Sequence, residues 1–284
     1  MEEGKETETT PDITRKIYED VMAIYPFLTP EEQEDFTKKA APILDNEEKV
    51  SELEQVKKII GLLNNPHADV TAKELEGKPV LKPEFKIENE IAYLTIPNWN
   101  DKVKGEIEEI KKACLINRDN YRAVIIDVRG NRGGNSKWAH DLGMIFFREE
   151  VPYGKLAYRE EGGELKEKEI KMRADAENYI EKPIAILIDH KCFSSNELFL
   201  APFKISKRAT LIGTRTSGGS GNPKSIPINI EGKDYVVRIP QWRLFLKGEE
   251  KPIEETGITP DIDYTESDIV EFAKKYLKEK LTSD

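Results

Sequence analysis

Two polar, turn-forming segments follow apolar runs in this sequence, and both carry groups able to do chemistry. Ala123-Val124-Ile125-Ile126 leads into Asp127-Val128-Arg129-Gly130-Asn131-Arg132-Gly133-Gly134-Asn135, and Ile184-Ala185-Ile186-Leu187-Ile188 leads into Asp189-His190-Lys191-Cys192-Phe193-Ser194-Ser195-Asn196-Glu197. Continuous apolar runs are the pattern of strands buried on both faces. In open α/β sheets, ligand sites form just past the carboxyl ends of such strands. Glycines in the first segment would let backbone N–H groups approach a ligand at a helix start, where negative charge is favoured. That segment lacks the P-loop ending and the dinucleotide glycine spacing, so a tight strand-to-helix turn explains it equally well. In the second segment Ser194 reads as a helix N-cap. It reads also as a nucleophile whose oxyanion would meet the free amides of the helix start. Residue types alone leave both readings open.

A serine nucleophile needs a base, and the chain has only three histidines, at 67, 140 and 190. His140 falls inside a helical stretch, whereas His190 lies four residues before Ser194. His67 follows a helix end, where a histidine also interacts favourably with the helix dipole. Cys114 and Cys192 are the only cysteines and make neither a zinc site nor a disulfide framework. Cys192 reads as a small buried apolar side chain. No cofactor or metal is expected.

The elements that must position these groups follow from periodicity. Residues 1–9 are polar and expected to be disordered. Thr10-Pro11 predicts a capped helix with Ile13, Ile17, Val21 and Ile24 on one face. Thr29-Pro30-Glu31-Glu32 starts a second helix with capping-box spacing, and a third spans about Asn46 to Leu63. A linker around Gly77 and Pro79 precedes strands at 85–87 and 91–96, a helix at about 101–117 and the strand at 123–128. A helix at about 136–147, a strand at 183–189, a helix at about 196–206 and a strand at 210–213 follow, with a C-terminal helix around 274–280. Strands alternating with helices mean βαβ units. The expected fold is α/β, a twisted, mostly parallel sheet with flanking helices. The expected domains are a small N-terminal helical domain over 1–75 and an α/β domain over 76–284.

At 284 residues, with 38% hydrophobic and 35% charged residues, the chain has the composition of a globular protein. The lysine- and glutamate-rich charge resembles that of heat-adapted surfaces. A net charge of -10 provides no footprint for nucleic acid and little attraction to anionic membranes. No apolar stretch reaches the length of a membrane span. The N-terminus, MEEGKETETT, is acidic and unlike a signal peptide. The compartment is therefore open: cytoplasmic, or secreted or cell-envelope if a targeting segment was removed.

Taken together, in order and spacing, three segments resemble one family. Asp127-Val128-Arg129-Gly130-Asn131-Arg132-Gly133-Gly134 is similar to the Asp-x-Arg-Gly-Asn-x-Gly-Gly segment of the tail-specific, C-terminal-processing serine peptidases. Phe193-Ser194-Ser195-Asn196-Glu197 resembles their nucleophile segment, with the serine three residues before a glutamate. Glu254-Glu255-Thr256-Gly257-Ile258-Thr259-Pro260-Asp261 matches their closing Glu-x-x-Gly-hydrophobic-x-Pro-Asp. The resemblance covers about 85 to 264 and implies a layered, crotonase- or ClpP-like sheet.

It also implies roles. Ser194 becomes the nucleophile, and Ser195 with Gly133 or Gly134 the oxyanion hole. One branch of the family uses a lysine base, but that position falls on Gly219 here, and Lys224 would need five residues looped out. The tricorn-like branch uses a histidine after a Leu-Leu-Asn-Asp-Gly-like turn. Leu62-Leu63-Asn64-Asn65-Pro66-His67 resembles it, departing at Asn65 and Pro66, so His67 is the expected base, with His190 the alternative. Glu254 is the expected orienting carboxylate. No room exists between His67 and the first strands for the PDZ module of many relatives. Partners implied are a peptide or unfolded polypeptide, with a homo-oligomer left open. Two rival readings remain: a non-catalytic ligand- or peptide-binding protein on this fold, and a crotonase-like acyl-CoA enzyme that would not need the Ser194 hydroxyl.

Overall fold

The computed structural model describes residues 12–73, 79–160 and 163–283. Along the chain run α1 (Ile13–Ile24), α2 (Pro30–Leu44), α3 (Glu52–Gly61), β1 (Asp69–Ala72), β2 (Glu84–Glu88), β3 (Ile91–Thr95) and α4 (Lys104–Ile116). Then come β4 (Ala123–Asp127), α5 (Ser136–Gly143), β5 (Val151–Arg159), β6 (Leu165–Met172), β7 (Ile184–Ile188), α6 (Ser195–Ser206) and β8 (Thr210–Gly213). The chain closes with β9 (Lys224–Ile230), β10 (Lys233–Ile239), β11 (Trp242–Leu246), α7 (Ile253–Thr256), β12 (Ile262–Asp263) and α8 (Ile269–Ser283).

Two compact units form. Of the described residues, the first contains 12–73, 158–160, 163–166 and 223–241, and the second contains 79–157, 167–222 and 242–283. In the first, Ile17, Val21 and Ile24 of α1 pack with Phe36 of α2 and with Val56, Ile59 and Ile60 of α3. The expected cap at Thr10 and the segment 1–9 lie outside the described residues. The cap observed is Asp12, which accepts the Arg15 N–H. Beyond the expected helices this unit holds an antiparallel sheet of order β1-β10-β9, whose Ile226, Ile230, Val237 and Ile239 complete the helical core. Helices with one apolar stripe need a second layer to cover it, and this sheet supplies one.

The second unit is α/β. Its six-stranded sheet has the order β12-β8-β7-β4-β3-β2, with β2 antiparallel to β3 and the other pairs parallel. Alternation along β4 and β7 assigns the two faces. Val124, Ile126, Ile184 and Ile186 join the core that includes Ile107 of α4, Leu142 of α5 and Phe199 of α6. Ala123, Ile125, Ala185 and Leu187 pack with Ala273 and Leu277 of α8. Each fully buried Ile or Leu stabilises by roughly 1.5–3 kcal/mol, so the polar residues beyond these strands stand on a rigid floor. A further sheet has the order β11-β5-β6.

Candidate active site

The carboxyl ends of β4 and β7 lie side by side, since Asp127 pairs with Leu187. Asp189 joins the two loops by accepting the Gly130 N–H at 3.0 Å. Beneath them Asn131 Nδ2 donates to Ile96 O, and buried Cys192 donates its Sγ–H to Val128 O. Burial pushes the Cys192 thiol well up from its ordinary range, so it serves as packing. Asp127 takes two bonds from the Arg129 guanidinium and one from Tyr93 OH, which fixes the end of β4.

Ser194 stands at the turn from β7 into α6 with φ 60° and ψ -127°. A non-glycine residue there is strained, by about 1–3 kcal/mol, and persists only where its surroundings hold it. Glu197 does the holding. Its Oε2 accepts the Ser194 N–H at 3.1 Å, while its Oε1 accepts Thr216 Oγ1 at 2.5 Å and the Gly218 N–H at 3.0 Å. Burial pushes this carboxyl up to about 8, opposed by the hydrogen bonds, Thr216 foremost.

Gly133 presses against the same turn. A methyl added there would stand 2.7 Å from Ser194 Cβ and 2.9 Å from Phe193 O. The Gly133 N–H is already engaged, donating to Asn131 Oδ1 at 2.8 Å. Ser195 Oγ donates to Gly134 O at 2.6 Å, tying the glycine turn to the first residue of α6. Among the described residues, the N–H groups of Ser195 and Gly134 have no protein acceptor.

The loop after β8 brings in Glu254. Gly218 approaches so closely that a methyl on it would meet Ile253 O at 2.5 Å. Glu254 is buried, and its Oε1 accepts both the N–H and the hydroxyl of Ser220. Its Oε2 is buried without a partner among the described residues. Burial raises the Glu254 carboxyl, while the Ser220 bonds and nearby Arg243 favour its charged form. At Gly219, the position of the other branch's lysine, a methyl would lie 2.0 Å from Phe193 Cε2. The Phe193 ring fills the space where a side chain at 219 would begin.

The structure therefore brings Ser194, Ser195, Gly133 and Gly134 together, and links Glu254 to them through Glu197 and the 216–220 loop. His67 belongs to the first unit. It is buried, its N–H donates to Asn65 Oδ1 at 2.9 Å, and its pKa falls to about 4 through burial and then the positive charge of Arg238. Arg238 is held by two bonds to Asp69, its cross-strand neighbour. His190 is exposed. His140 accepts the Arg173 N–H on Nε2, which leaves it occupied in the α5–β6 contact. Among the described residues, no group of three or more His, Cys, Asp or Glu could hold a metal, and no helix is long and apolar enough to cross a membrane. The residue that sequence reasoning passed over as a working part is Glu197. Its spacing after Ser194 was legible, but the depth of its burial was not.

Residues 90–264 match Peptidase family S41. The chain belongs to that family. A CtpA-like serine protease of Staphylococcus haemolyticus is 29% identical over 138 residues, 48% of this chain and 26% of the relative. A carboxy-terminal-processing protease of Bartonella bacilliformis is 26% identical over 189 residues, 63% of this chain and 39% of the relative. The chain thus spans less than half the length of these relatives. A crystal structure from Parabacteroides merdae superposes with a TM-score of 0.70 at 15% identity, covering 95% of this chain and 97% of that one. That likeness is one of fold.

Proposed function

We propose that the chain is a serine peptidase that hydrolyses peptide bonds through Ser194, with His67 as general base and Glu254 as orienting carboxylate. The observation that carries this reading is the strained Ser194 turn at the start of α6, followed by the unengaged Ser195 N–H and tied through Ser195 Oγ to Gly134, whose N–H is also unengaged. An N-cap needs no such strain, whereas a nucleophile gains from being presented at a helix start.

The chemistry runs in two halves. His67 takes the Ser194 hydroxyl proton as Oγ attacks the peptide carbonyl, then gives it to the departing amine. Water hydrolyses the resulting ester by the same proton path. The Ser195 and Gly134 N–H groups meet the oxyanion, each contributing roughly 3 kcal/mol. Gly133 adds its own N–H only when released from Asn131. Glu254 Oε2, buried and unpartnered, stabilises the imidazolium and fixes its tautomer. The depressed pKa of His67 keeps the base unprotonated at neutral pH, and the Phe193 ring at Gly219 argues against a lysine base there. The substrate would be a peptide or an unfolded polypeptide.

A fluorophosphonate probe tests this. Labelling of the wild-type chain that is lost in both Ser194→Ala and His67→Ala is the expected result. Labelling that survives in Ser194→Ala would move the nucleophile. Survival in His67→Ala with loss in His190→Ala would move the base. Absence of labelling in folded wild type favours the non-catalytic reading.

A further inference from the structure

A groove of about 680 Å³ in the second unit has a wall of unusual make-up: the consecutive residues from Lys168 through Arg173 all border it. Side chains alternate between the two faces of a strand, so one face supplies only every second residue. A groove bordered by six in a row is bordered by the strand's edge, backbone included. Among the described residues no strand pairs with that edge, because β6 is the outer strand of the order β11-β5-β6; just past its end the Arg173 N–H is taken by His140 Nε2, so the open stretch is Lys168 to Ile170. Exposed edges present N–H and C=O groups that another extended chain can pair with.

The groove also joins the candidate site. Asn135 and Ser136, which follow Gly134, line it, as does Leu198, one helical turn after Ser194 on α6. Its apolar surface comes from Leu156, Ile170, Met172 and Trp242, among others. Its charges are biased. Lys137 pairs with Asp141 and Lys171 with Glu150, which removes these four from the balance. Lys168 and Arg173 remain, exposed and without a carboxylate partner among the described residues, against Glu169 alone. A positive residue of charge in a chain of net charge -10 sets this surface apart.

We propose that this groove takes an extended peptide segment that pairs with the β6 edge, seats an apolar side chain on its floor and carries an acidic residue beside it. Main-chain pairing supplies affinity in such strand addition, and the pockets alongside supply selectivity. This deepens the peptidase reading and rests on it for the fate of the bound segment, but binding itself needs no hydrolysis.

The test uses Ser194→Ala and two dansylated octapeptides, identical except for Glu or Lys next to a central Leu, followed by fluorescence anisotropy. The Glu peptide is expected to bind about fivefold tighter, the scale of one well-formed exposed ion pair, and rising salt should shrink the difference. Lys168→Glu with Arg173→Glu, both at exposed positions, should abolish or reverse the preference. N-methylation of the backbone amides flanking the Leu should weaken binding to either form. Equal affinities, a preference untouched by the charge reversal, or full binding of the N-methylated peptide would overturn the proposal. Selective binding by Ser194→Ala together with an unlabelled wild type would instead sink the peptidase reading and leave the groove standing.

Discussion

Glu197 carries the backbone of Ser194: its Oε2 accepts the Ser194 N–H at 3.1 Å, while its other oxygen grips Thr216 and Gly218. Through Gly218 the same carboxylate governs the loop that presents Ser220 to Glu254. Above pH 8, where the Glu197 carboxyl is ionised, Glu197→Gln preserves shape but turns one acceptor into an NH₂ group facing a buried donor. An unsatisfied buried donor costs about 1–3 kcal/mol, so the variant should melt several degrees lower, by differential scanning fluorimetry. Fluorophosphonate labelling should slow as well, because the strained Ser194 turn loses its tether. An unchanged melt together with an unchanged labelling rate would remove Glu197 from the machinery.

Gly219 tests which base the fold accepts. Placing a lysine there must displace the Phe193 ring, whose Cε2 lies 2.0 Å from the position of the new Cβ. Overpacking of this kind costs about 1–3 kcal/mol. Gly219→Lys should therefore lower the melting temperature, and it should not restore labelling to His67→Ala. Restored labelling in the double variant would show that a lysine reaches Ser194 in this chain.

The parts of the structure that could be read from sequence are those with a single strong period. β4 and β7 are continuous apolar runs, and burial on both faces is what such runs mean. Ser194 and the glycine turn were visible through motif spacing. The two three-stranded sheets were not. β6 reads LKEKEIKM, a charged string that suits a helix surface as well as an exposed edge strand. The β9–β10 hairpin had a usable signal, the two-residue Glu231-Gly232 turn between alternating runs, and both residues adopt positive φ there. The engaged state of the Gly133 N–H depends on the side-chain torsion of Asn131, which no sequence pattern reports.

Gly133 and Gly130 make a controlled pair. Both have positive φ, 93° and 74°, so alanine pays backbone strain of about 1–2 kcal/mol at either. Only Gly133 also lacks room, with Ser194 Cβ at 2.7 Å from the added methyl, whereas Gly130 faces open space. Gly133→Ala should thus melt well below Gly130→Ala and should lose labelling, while Gly130→Ala keeps it. Similar behaviour of the two variants would mean that the glycine turn does not press on the nucleophile.

His67 links the proposed base to pH-dependent stability. Its folded pKa, depressed to about 4 by burial and by Arg238, lies below the ordinary value of 6.5. As pH falls below 6.5 the unfolded chain gains a proton that the folded chain refuses, so stability present above pH 6.5 drains away down to about pH 4. The full span amounts to about 3 kcal/mol at most. Glu197 has the opposite sign, since its raised pKa favours the folded state toward acid. The comparison that isolates His67 is wild type against His67→Gln in denaturant titrations from pH 4 to 7. The stability difference should shift in favour of the variant as pH falls. Arg238→Ala, which removes the second cause of the depression, should end the decline at a higher pH and make it smaller, its onset staying near 6.5. A difference that stays flat across this range would mean that His67 titrates near its ordinary value, too exposed to be the buried base proposed.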